Sequence, residues 1–247
     1  MNKDYDVLSA AFKMSRQQRL ADIQSDQTWD IVIIGGGITG AGILKLASQL
    51  KLKVLLVEQK DFAWGSSSRS SKMVHGGLRY MAQGQMKLTL ESVKERQTLL
   101  NEAPDLVVSK SFVMSHYKGQ FPWPWLFNQL LVIYDTFAGI KQHRFWPETT
   151  YQSLVPNVKE EDLLGGTQFA DALTEDARLV QRLIQESLLL GGQAVNYVKV
   201  DNLLKSGEEV TGVRVEDTET AKKFNIKAKV VINATGAWSD SFIADND

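Results

Sequence analysis

The chain has 247 residues, of which 43% are hydrophobic and 23% charged, and its formal net charge is −1 at pH 7. This composition suits one large globular domain or two intertwined ones, and the small net charge argues against nucleic acid as a partner. The chain has no cysteine, which excludes disulfides, thiolate catalysis and cysteine-bound metal and suits a reducing compartment. The histidines His75, His116 and His143 lack metal-ligand spacing, so we expect no metal site.

The first 28 residues mix acidic and basic side chains and contain no apolar stretch, unlike a secretory signal or a transit peptide. Val7, Leu8, Ala11 and Met14 recur at helical spacing, which predicts a helical tail over residues 1–28 that lies against the body of the protein. A membrane-surface helix is the less favoured alternative, because the basic face is thin.

A glycine-rich turn follows the first predicted strand. The apolar run Ile31–Ile34 is typical of a strand buried on both faces. Gly35, Gly37 and Gly40 then match G-x-G-x-x-G at the start of a predicted helix, Ile38–Leu50. Such glycines allow a tight turn, close approach of a diphosphate and close helix–strand packing, and the helix N-terminus favours phosphate.

A second predicted strand, Lys53–Val57, ends at Glu58, about 20 residues past the glycines. A carboxylate at this position accepts hydrogen bonds from a ribose hydroxyl, and its charge disfavours the 2′-phosphate of NADP. The motif and its context therefore predict an adenine dinucleotide, either NAD or FAD, because the glycine turn does not separate the two.

The following segment, Asp61–Met81, contains five serines among basic side chains. These can donate to a diphosphate, although by composition alone a polar surface loop is as good an interpretation. Together with GGGITGAG and Glu58, the string SSSRSSKMVHGGLRY resembles the FAD-dependent glycerol-3-phosphate dehydrogenases of the amino-acid-oxidase-like flavoprotein superfamily. The resemblance extends from about Trp29 through LLVIYDTFAG, TEDARLV and VVINATGAW.

The resemblance implies an α/β, Rossmann-like FAD-binding fold with a central parallel sheet and a β-meander, plus an incomplete α+β substrate domain. The expected FAD-binding domain is discontinuous, 29–105 and 171–247, and residues 106–170 form part of the substrate or cap domain. Because members of that family are longer, the chain is expected to be truncated at its C-terminal end.

The resemblance also implies FAD as the cofactor and assigns residues to it. Those expected to contact FAD are Gly35, Gly37, Ile38, Thr39, Gly40, Glu58, Gln59, Ser67, Ser68, Ser70, Ser71, Lys72, His75, Gly76, Gly77, Leu78, Val200, Ala234, Thr235 and Gly236. The expected catalytic residues are His75, Arg79 and Tyr80. Arg79 matches a substrate-phosphate arginine, and Tyr80 can donate a further hydrogen bond.

Two of these roles have alternatives. His75 either takes the substrate proton or only packs against, or hydrogen-bonds, the flavin. Arg178, within the string DARL, either helps to order the substrate region or is an ordinary surface arginine.

The implied reaction is oxidation of sn-glycerol 3-phosphate to dihydroxyacetone phosphate, with hydride passing to flavin N5 and electrons onward to quinone or oxygen. One alternative is another oxidoreductase of the superfamily, acting on amino or 2-hydroxy acids. A second is a truncated FAD-binding module without turnover. The chain has no G-x-S-x-G elbow and no G-K-[ST] after the glycines, which disfavours a hydrolase and a P-loop NTPase.

The most aromatic stretch is Phe121–Ile140. Its prolines and polar residues make it a poor membrane span. Leu126–Ala138 is predicted to be a buried helix with Trp123 and Trp125 in an adjoining loop; alternatively, this edge enters a bilayer interface. The residues alone favour the core helix, and the resemblance gives the interface alternative more weight. The expected location is the cytoplasm, and the interface alternative adds peripheral contact to the inner face of the cytoplasmic membrane.

The last third of the chain predicts strands. Gln193–Val200 is predicted as one strand, and Glu209–Asp217 with Phe224–Ala228 as a β-meander. Ala228–Asn233 then forms a buried strand before the Ala234-Thr235-Gly236 turn. The resemblance places Val200 and this turn at the adenosine half of the cofactor; the alternative is a plain strand-to-loop turn.

Overall fold

The computed structural model describes residues 14–139 and 141–244. In chain order the helices and strands are α1 (Arg16–Gln24), β1 (Thr28–Ile34), α2 (Ile38–Gln49), β2 (Val54–Val57), β3 (Met73–Val74), α3 (Leu78–Ala82), α4 (Met86–Glu102), β4 (Val107–Tyr117), α5 (Pro124–Ala138), β5 (Arg144–Pro147), α6 (Glu148–Leu154), β6 (Leu163–Thr174), α7 (Asp176–Leu189), β7 (Gln193–Val195), β8 (Val198–Ser206), β9 (Glu209–Asp217), β10 (Lys222–Asn233) and α8 (Ser239–Ala244). Short 3-10 turns cover Ser66–Ser68 and Gly236–Trp238.

The chain divides into two compact units. The first comprises Met1–Ser70 with Asp176–Asp247, and the second is Ser71–Glu175. The sequence-based boundaries at residues 105 and 171 therefore differ from the limits of the compact units, since residues 71–105 pack within the second unit. The functional assignment of the domains stays a prediction.

Of the predicted N-terminal helix, Val7, Leu8 and Ala11 lie outside the described residues.

The sheet of the first unit has the strand order β7-β2-β1-β10-β9-β8. β7, β2, β1 and the end of β10 run parallel, whereas β10, β9 and β8 form an antiparallel meander. This confirms the predicted α/β fold with a Rossmann-like parallel sheet and a β-meander.

Two details of the predicted strands are wrong. Phe224–Ala228 and Ala228–Asn233 belong to one strand, β10, whose first half pairs with β9 and whose second half pairs with β1. Conversely, Gln193–Val200 is not one strand, because Tyr197 has a φ of 55° and turns the chain between β7 and β8. Strand propensity alone does not reveal either partner exchange.

Both faces of β1 are buried, as its apolar run predicts. Val32 and Ile34 pack into one core with β7–β10 and the apolar side of α1. Ile33 packs on the opposite face with α2 and α7. The first turn of α2 is thereby fixed against the carboxyl ends of β1 and β2.

The second unit contains an antiparallel sheet of order β3-β6-β4, with β5 also paired to β6. Its core is formed by Met81, Val93, Phe127, Leu131 and Tyr134. Leu126–Ala138 is confirmed as helical, but the helix begins two residues earlier, at Pro124. Trp125 therefore lies in the first turn of α5 and not in an adjoining loop, because proline is well suited to the first helical position. Among the described residues, no helix is both long enough and apolar enough to cross a membrane.

Candidate functional site

A cavity of about 370 Å³ lies at the carboxyl ends of the parallel strands in the first unit. In open α/β sheets, ligands bind at this edge. Its lining residues include Ile34, Gly35, Gly37, Ile38, Thr39, Val57, Glu58, Gln59, Trp64, Gly65, Ser66, Ser67, Val198, Lys199, Val200, Asp201, Ala234, Thr235, Gly236, Ala237, Trp238, Ser241 and Phe242. Eleven of the residues expected to contact FAD are thus brought together at one site.

The glycine turn forms one wall of this cavity. Gly35 has a φ of 113° and donates its N–H to the Val57 carbonyl at 2.9 Å. A Cβ at Gly35 would stand 2.5 Å from the carbonyl oxygen of Ala234, and one at Gly40 would overlap the Gly35 carbonyl. Gly40 does not line the cavity and packs closely against the turn, which is the role of the third glycine of the motif. Its predicted contact with FAD stays a prediction.

The Glu58 carboxylate is fixed by two backbone donors. Its Oε2 accepts the Gly36 N–H at 2.7 Å, and its Oε1 accepts the Lys60 N–H at 2.8 Å. Each carboxylate oxygen has a second lone pair that can accept a hydroxyl donor. The arrangement suits a ribose diol and disfavours a phosphate on that ribose.

Ser67 lies at the N-terminus of α2. Its Oγ accepts the Ile38 N–H at 2.9 Å, and a Cβ at Gly37 would stand 3.2 Å from the same oxygen. First-turn amides and a nearby hydroxyl provide donors for a phosphate group. A side chain at Gly37 would enter this space.

The Ala234–Gly236 turn lies beside the glycine turn and also lines the cavity. Ala234 donates its N–H to the Ile34 carbonyl at 2.8 Å, which couples the turn to the end of β1. The Asn233 Oδ1 accepts both the Thr235 N–H at 3.1 Å and the Thr235 hydroxyl at 2.6 Å. The turn is therefore held by side-chain hydrogen bonds as well as by the sheet.

Several lining residues were missed by the sequence analysis, most notably Trp64 and Trp238. Their ring centroids are 5.8 Å apart, and a Cβ at Gly65 would stand 2.9 Å from the Trp238 ring. Lys60 Nζ lies 3.4 Å from the Trp64 ring centroid. A signal was available, since each tryptophan is adjacent in sequence to a predicted contact segment.

Two serines of the first unit that were predicted to bind cofactor, Ser68 and Ser70, do not line the cavity. The Ser68 hydroxyl donates to the Trp64 and Gly65 carbonyls, both at 3.4 Å, within the 3-10 turn. The Ser70 hydroxyl donates to Asp176 Oδ2 at 2.6 Å. Their predicted contacts with cofactor stay predictions.

Arg178 is exposed on α7.

The remaining predicted residues belong to the second unit: Ser71, Lys72, His75, Gly76, Gly77, Leu78, Arg79 and Tyr80. Gly77 has a φ of 84° and precedes α3, which carries Arg79 and Tyr80. The His75 and Tyr80 rings meet edge to face at 5.7 Å. Arg79 is exposed, and no hydrogen bond or ion pair joins its guanidinium to another described residue.

The cavity fits the adenosine and diphosphate part of FAD. Glycines allow the close approach, Glu58 provides acceptors for a diol, and the α2 N-terminus with Ser67 provides donors for phosphate. Within the described part of the chain, no three His, Asp or Glu side chains come close enough together to bind a metal ion.

Comparison with known proteins agrees with this geometry. The FAD-dependent oxidoreductase family, abbreviated DAO, matches residues 30–247. Aerobic glycerol-3-phosphate dehydrogenase of Bacillus subtilis (strain 168) is 35% identical over 237 residues, which are 95% of this chain and 43% of that protein. The enzyme of the same name from Staphylococcus haemolyticus (strain JCSC1435) is 38% identical over 231 residues, 92% of this chain and 41% of that protein.

A solved structure is also similar. The glycerol-3-phosphate dehydrogenase of Bacillus halodurans complexed with FAD superimposes with a TM-score of 0.74 at 28% identity, over 94% of this chain and 39% of that chain. This chain therefore spans less than half the length of the relatives named here. Because the family match covers residues 30–247, the chain belongs to the family of FAD-dependent oxidoreductases.

Proposed function

We propose that this chain binds FAD in the cavity of its first unit and is the cofactor-binding part of an enzyme that oxidises sn-glycerol 3-phosphate to dihydroxyacetone phosphate. FAD, when bound, supplies a hydride acceptor for oxidation of a secondary alcohol. The arrangement that supports this proposal most is Glu58, which is fixed by two amides beside the glycine turn and lines the same cavity as the Ala234–Gly236 turn.

Within the cavity, each group has a defined task. The Glu58 carboxylate accepts hydrogen bonds from ribose hydroxyls, and the amides at the start of α2 with the Ser67 hydroxyl receive the diphosphate. Trp64 and Trp238 supply apolar surface that excludes water from this part of the site.

The proposed substrate agrees with the names of the relatives and with Arg79. A substrate phosphate needs a fixed cation, and a guanidinium can bind it through two parallel hydrogen bonds. Arg79 has no anionic partner among the residues that the structure describes, so its guanidinium is available. His75 takes the hydroxyl proton as general base, and the edge-to-face contact with Tyr80 orients its ring.

The proposed electron acceptor is a quinone or oxygen, and the proposed location is the cytoplasm with peripheral contact to the inner face of the membrane. The membrane contact is supported by the aromatic edge formed by Phe121, Trp123 and Trp125, which are 74%, 50% and 63% exposed. Tryptophan is favoured at bilayer interfaces.

The test is a visible absorbance spectrum of the purified chain loaded with FAD, recorded anaerobically during addition of glycerol 3-phosphate. We expect a yellow protein that bleaches. Retention of no FAD would overturn the cofactor proposal. A yellow protein that dithionite bleaches but glycerol 3-phosphate does not would favour either another substrate or the FAD-binding module without turnover. Bleaching by an amino or 2-hydroxy acid would then identify the alternative oxidoreductase.

An arginine variant tests the substrate site separately. Arg79→Ala should weaken glycerol 3-phosphate binding by about 10–100-fold, the value of charge-assisted hydrogen bonds, and leave FAD affinity unchanged. Lys87→Ala, which removes a cation that is 92% exposed in the same unit, is the matched control. Loss of FAD from Arg79→Ala would show that this arginine serves the cofactor instead.

A further inference from the structure

An ion pair in the core of the second unit has no role in the function proposed so far. Arg96 of α4 and Asp171 of β6 pair at 3.0 Å, with side chains only 2% and 3% exposed. Burying two charges costs several kcal/mol per ion, and an apolar pair of the same volume often gives equal or greater stability. Stability alone therefore does not explain this pair.

The pair adjoins the end of β3. Met73 and Val74 pair with Leu173 and Ala172 of β6, so Asp171 is the next residue of β6 along this register. The backbone pairing of β3 with β6 ends at Val74, and the next contact between these segments is made by the Asp171 side chain. Its Oδ1 accepts the Gly76 N–H at 3.2 Å, as well as the Ala172 N–H at 3.1 Å and Arg96 Nη1.

Tyr134 of α5 completes the cluster. Its hydroxyl accepts a hydrogen bond from Arg96 Nη1 at 2.6 Å, and Arg96 lies over its ring. The hydroxyl also lies so close to Gly76 that a Cβ there would overlap it. The pKa of Tyr134 lies above its ordinary value, mainly because the hydroxyl is buried and also because the charge of Asp171 is near. The hydroxyl therefore stays neutral.

In the sequence, Gly76 lies between His75 and Arg79, the two exposed residues that the proposed function assigns to the substrate. His75 directly precedes Gly76, and Arg79 follows on α3 after Gly77, whose φ of 84° starts that helix. A glycine pair without restraint would sample many backbone conformations. The cluster removes this freedom, because Asp171 of β6 and Tyr134 of α5 contact Gly76 directly. Arg96 of α4 holds both of these side chains in place.

We propose that Arg96, Asp171 and Tyr134 are positioning residues, which fix the His75–Gly77 backbone so that the His75 and Arg79 side chains keep one orientation toward substrate. The effect on turnover depends on the proposed function. The effect on the backbone of Gly76 does not.

The experiment uses Tyr134→Phe, which keeps the ring and removes only the hydroxyl, and Asp171→Asn, which removes the charge. The control is Arg16→Lys, which weakens the Arg16–Asp217 ion pair of the first unit and touches neither Gly76 nor its neighbours. Amide hydrogen exchange at Gly76 is followed by NMR in the chain without FAD, and the thermal midpoint is recorded alongside.

In both cluster variants, exchange at Gly76 should be at least about tenfold faster, the change expected from loss of a hydrogen bond of ordinary strength. In the loaded chain, the rate of flavin reduction at saturating glycerol 3-phosphate should fall by about tenfold or more, whereas FAD affinity stays within about threefold. The control should show neither change at a comparable loss of thermal midpoint.

Unchanged Gly76 exchange in both variants would overturn the proposal, as would an equal effect of Arg16→Lys. If glycerol 3-phosphate reduces the flavin of neither the parent chain nor any variant, the proposed function fails. The rate of amide exchange at Gly76 still decides the positioning role.

Discussion

The Glu58 carboxylate and the backbone amide of Gly36 meet at 2.7 Å, which joins the end of β2 to the glycine turn after β1. The same carboxylate accepts the Lys60 N–H. The sequence analysis assigns Glu58 only to a ribose. In the structure its carboxylate also joins the glycine turn after β1 to the turn after β2.

Replacement of Glu58 by alanine should weaken FAD binding by about 10–100-fold, because hydrogen bonds to a charged acceptor are lost on the ribose side and the Gly36 turn loses its restraint. The measurement is FAD titration by flavin fluorescence. Glu208→Ala, an exposed glutamate of the same unit in the turn between β8 and β9, is the control. An affinity equal to that of the parent chain would remove Glu58 from the cofactor site.

Substitution of Gly37 by valine should abolish FAD binding while the chain still folds. Gly37 has extended backbone angles of −82° and −172° that other residues can adopt, but a side chain would occupy the space beside Ser67. Gly42→Val, in the helix that follows Gly37, is the matched control, since a Cβ at Gly42 meets nothing within 4 Å. Flavin content after reconstitution decides: a yellow Gly37→Val chain would contradict the phosphate site.

The Arg16–Asp217 pair should make part of the stability depend on pH. Burial raises the pKa of Asp217, but hydrogen bonds from Arg16 and Thr220 outweigh it, so the pKa lies below its ordinary value. The stabilisation is therefore fully present above the unfolded pKa, about 3.9, and is lost as the pH falls through the folded pKa.

Asp217→Asn should accordingly lower the free energy of unfolding by about 1–3 kcal/mol at pH 7, and the deficit should shrink below about pH 4. Urea unfolding at a series of pH values measures it. Asp26→Asn, at an exposed ion pair with Lys227, should leave the unfolding midpoint unchanged. A deficit for Asp217→Asn that is constant down to pH 3 would exclude the ion pair as its cause.

The aromatic edge gives a prediction about membranes. Trp123 and Trp125 stack at 6.1 Å and are both exposed. The double variant Trp123→Ser/Trp125→Ser should lower the fraction of chain that sediments with liposomes by at least about tenfold in partition coefficient, since each tryptophan buries a large apolar area in the interface. Leu46→Ser/Leu50→Ser, at residues 60% and 65% exposed on and just after α2, controls for general surface apolarity. Equal binding by both double variants would exclude the aromatic edge as an anchor.

The sequence by itself determined the strand–glycine turn–helix unit and its ligand class. The reason is that these features are local: an apolar run buried on both faces, glycines with required backbone freedom, and an acid at a set distance reveal themselves without knowledge of long-range contacts. The alternation of apolar and polar residues likewise predicted the β-meander. It predicted β10 as two strands, because local strand propensity does not show where a strand changes its pairing partner.

Only the tertiary structure decided what lies around these local features. It brought Ala234 against Gly35 and Trp238 against Gly65, and it directed Ser70 toward Asp176 rather than into the cavity. It also placed the Tyr134 hydroxyl so close to Gly76 that a Cβ there would overlap it. The predicted contact of Gly76 with the cofactor stays a prediction. Arg96 and Asp171, 75 residues apart, gave no sequence signal, because a buried ion pair is defined by burial and partner, and both are created by the fold.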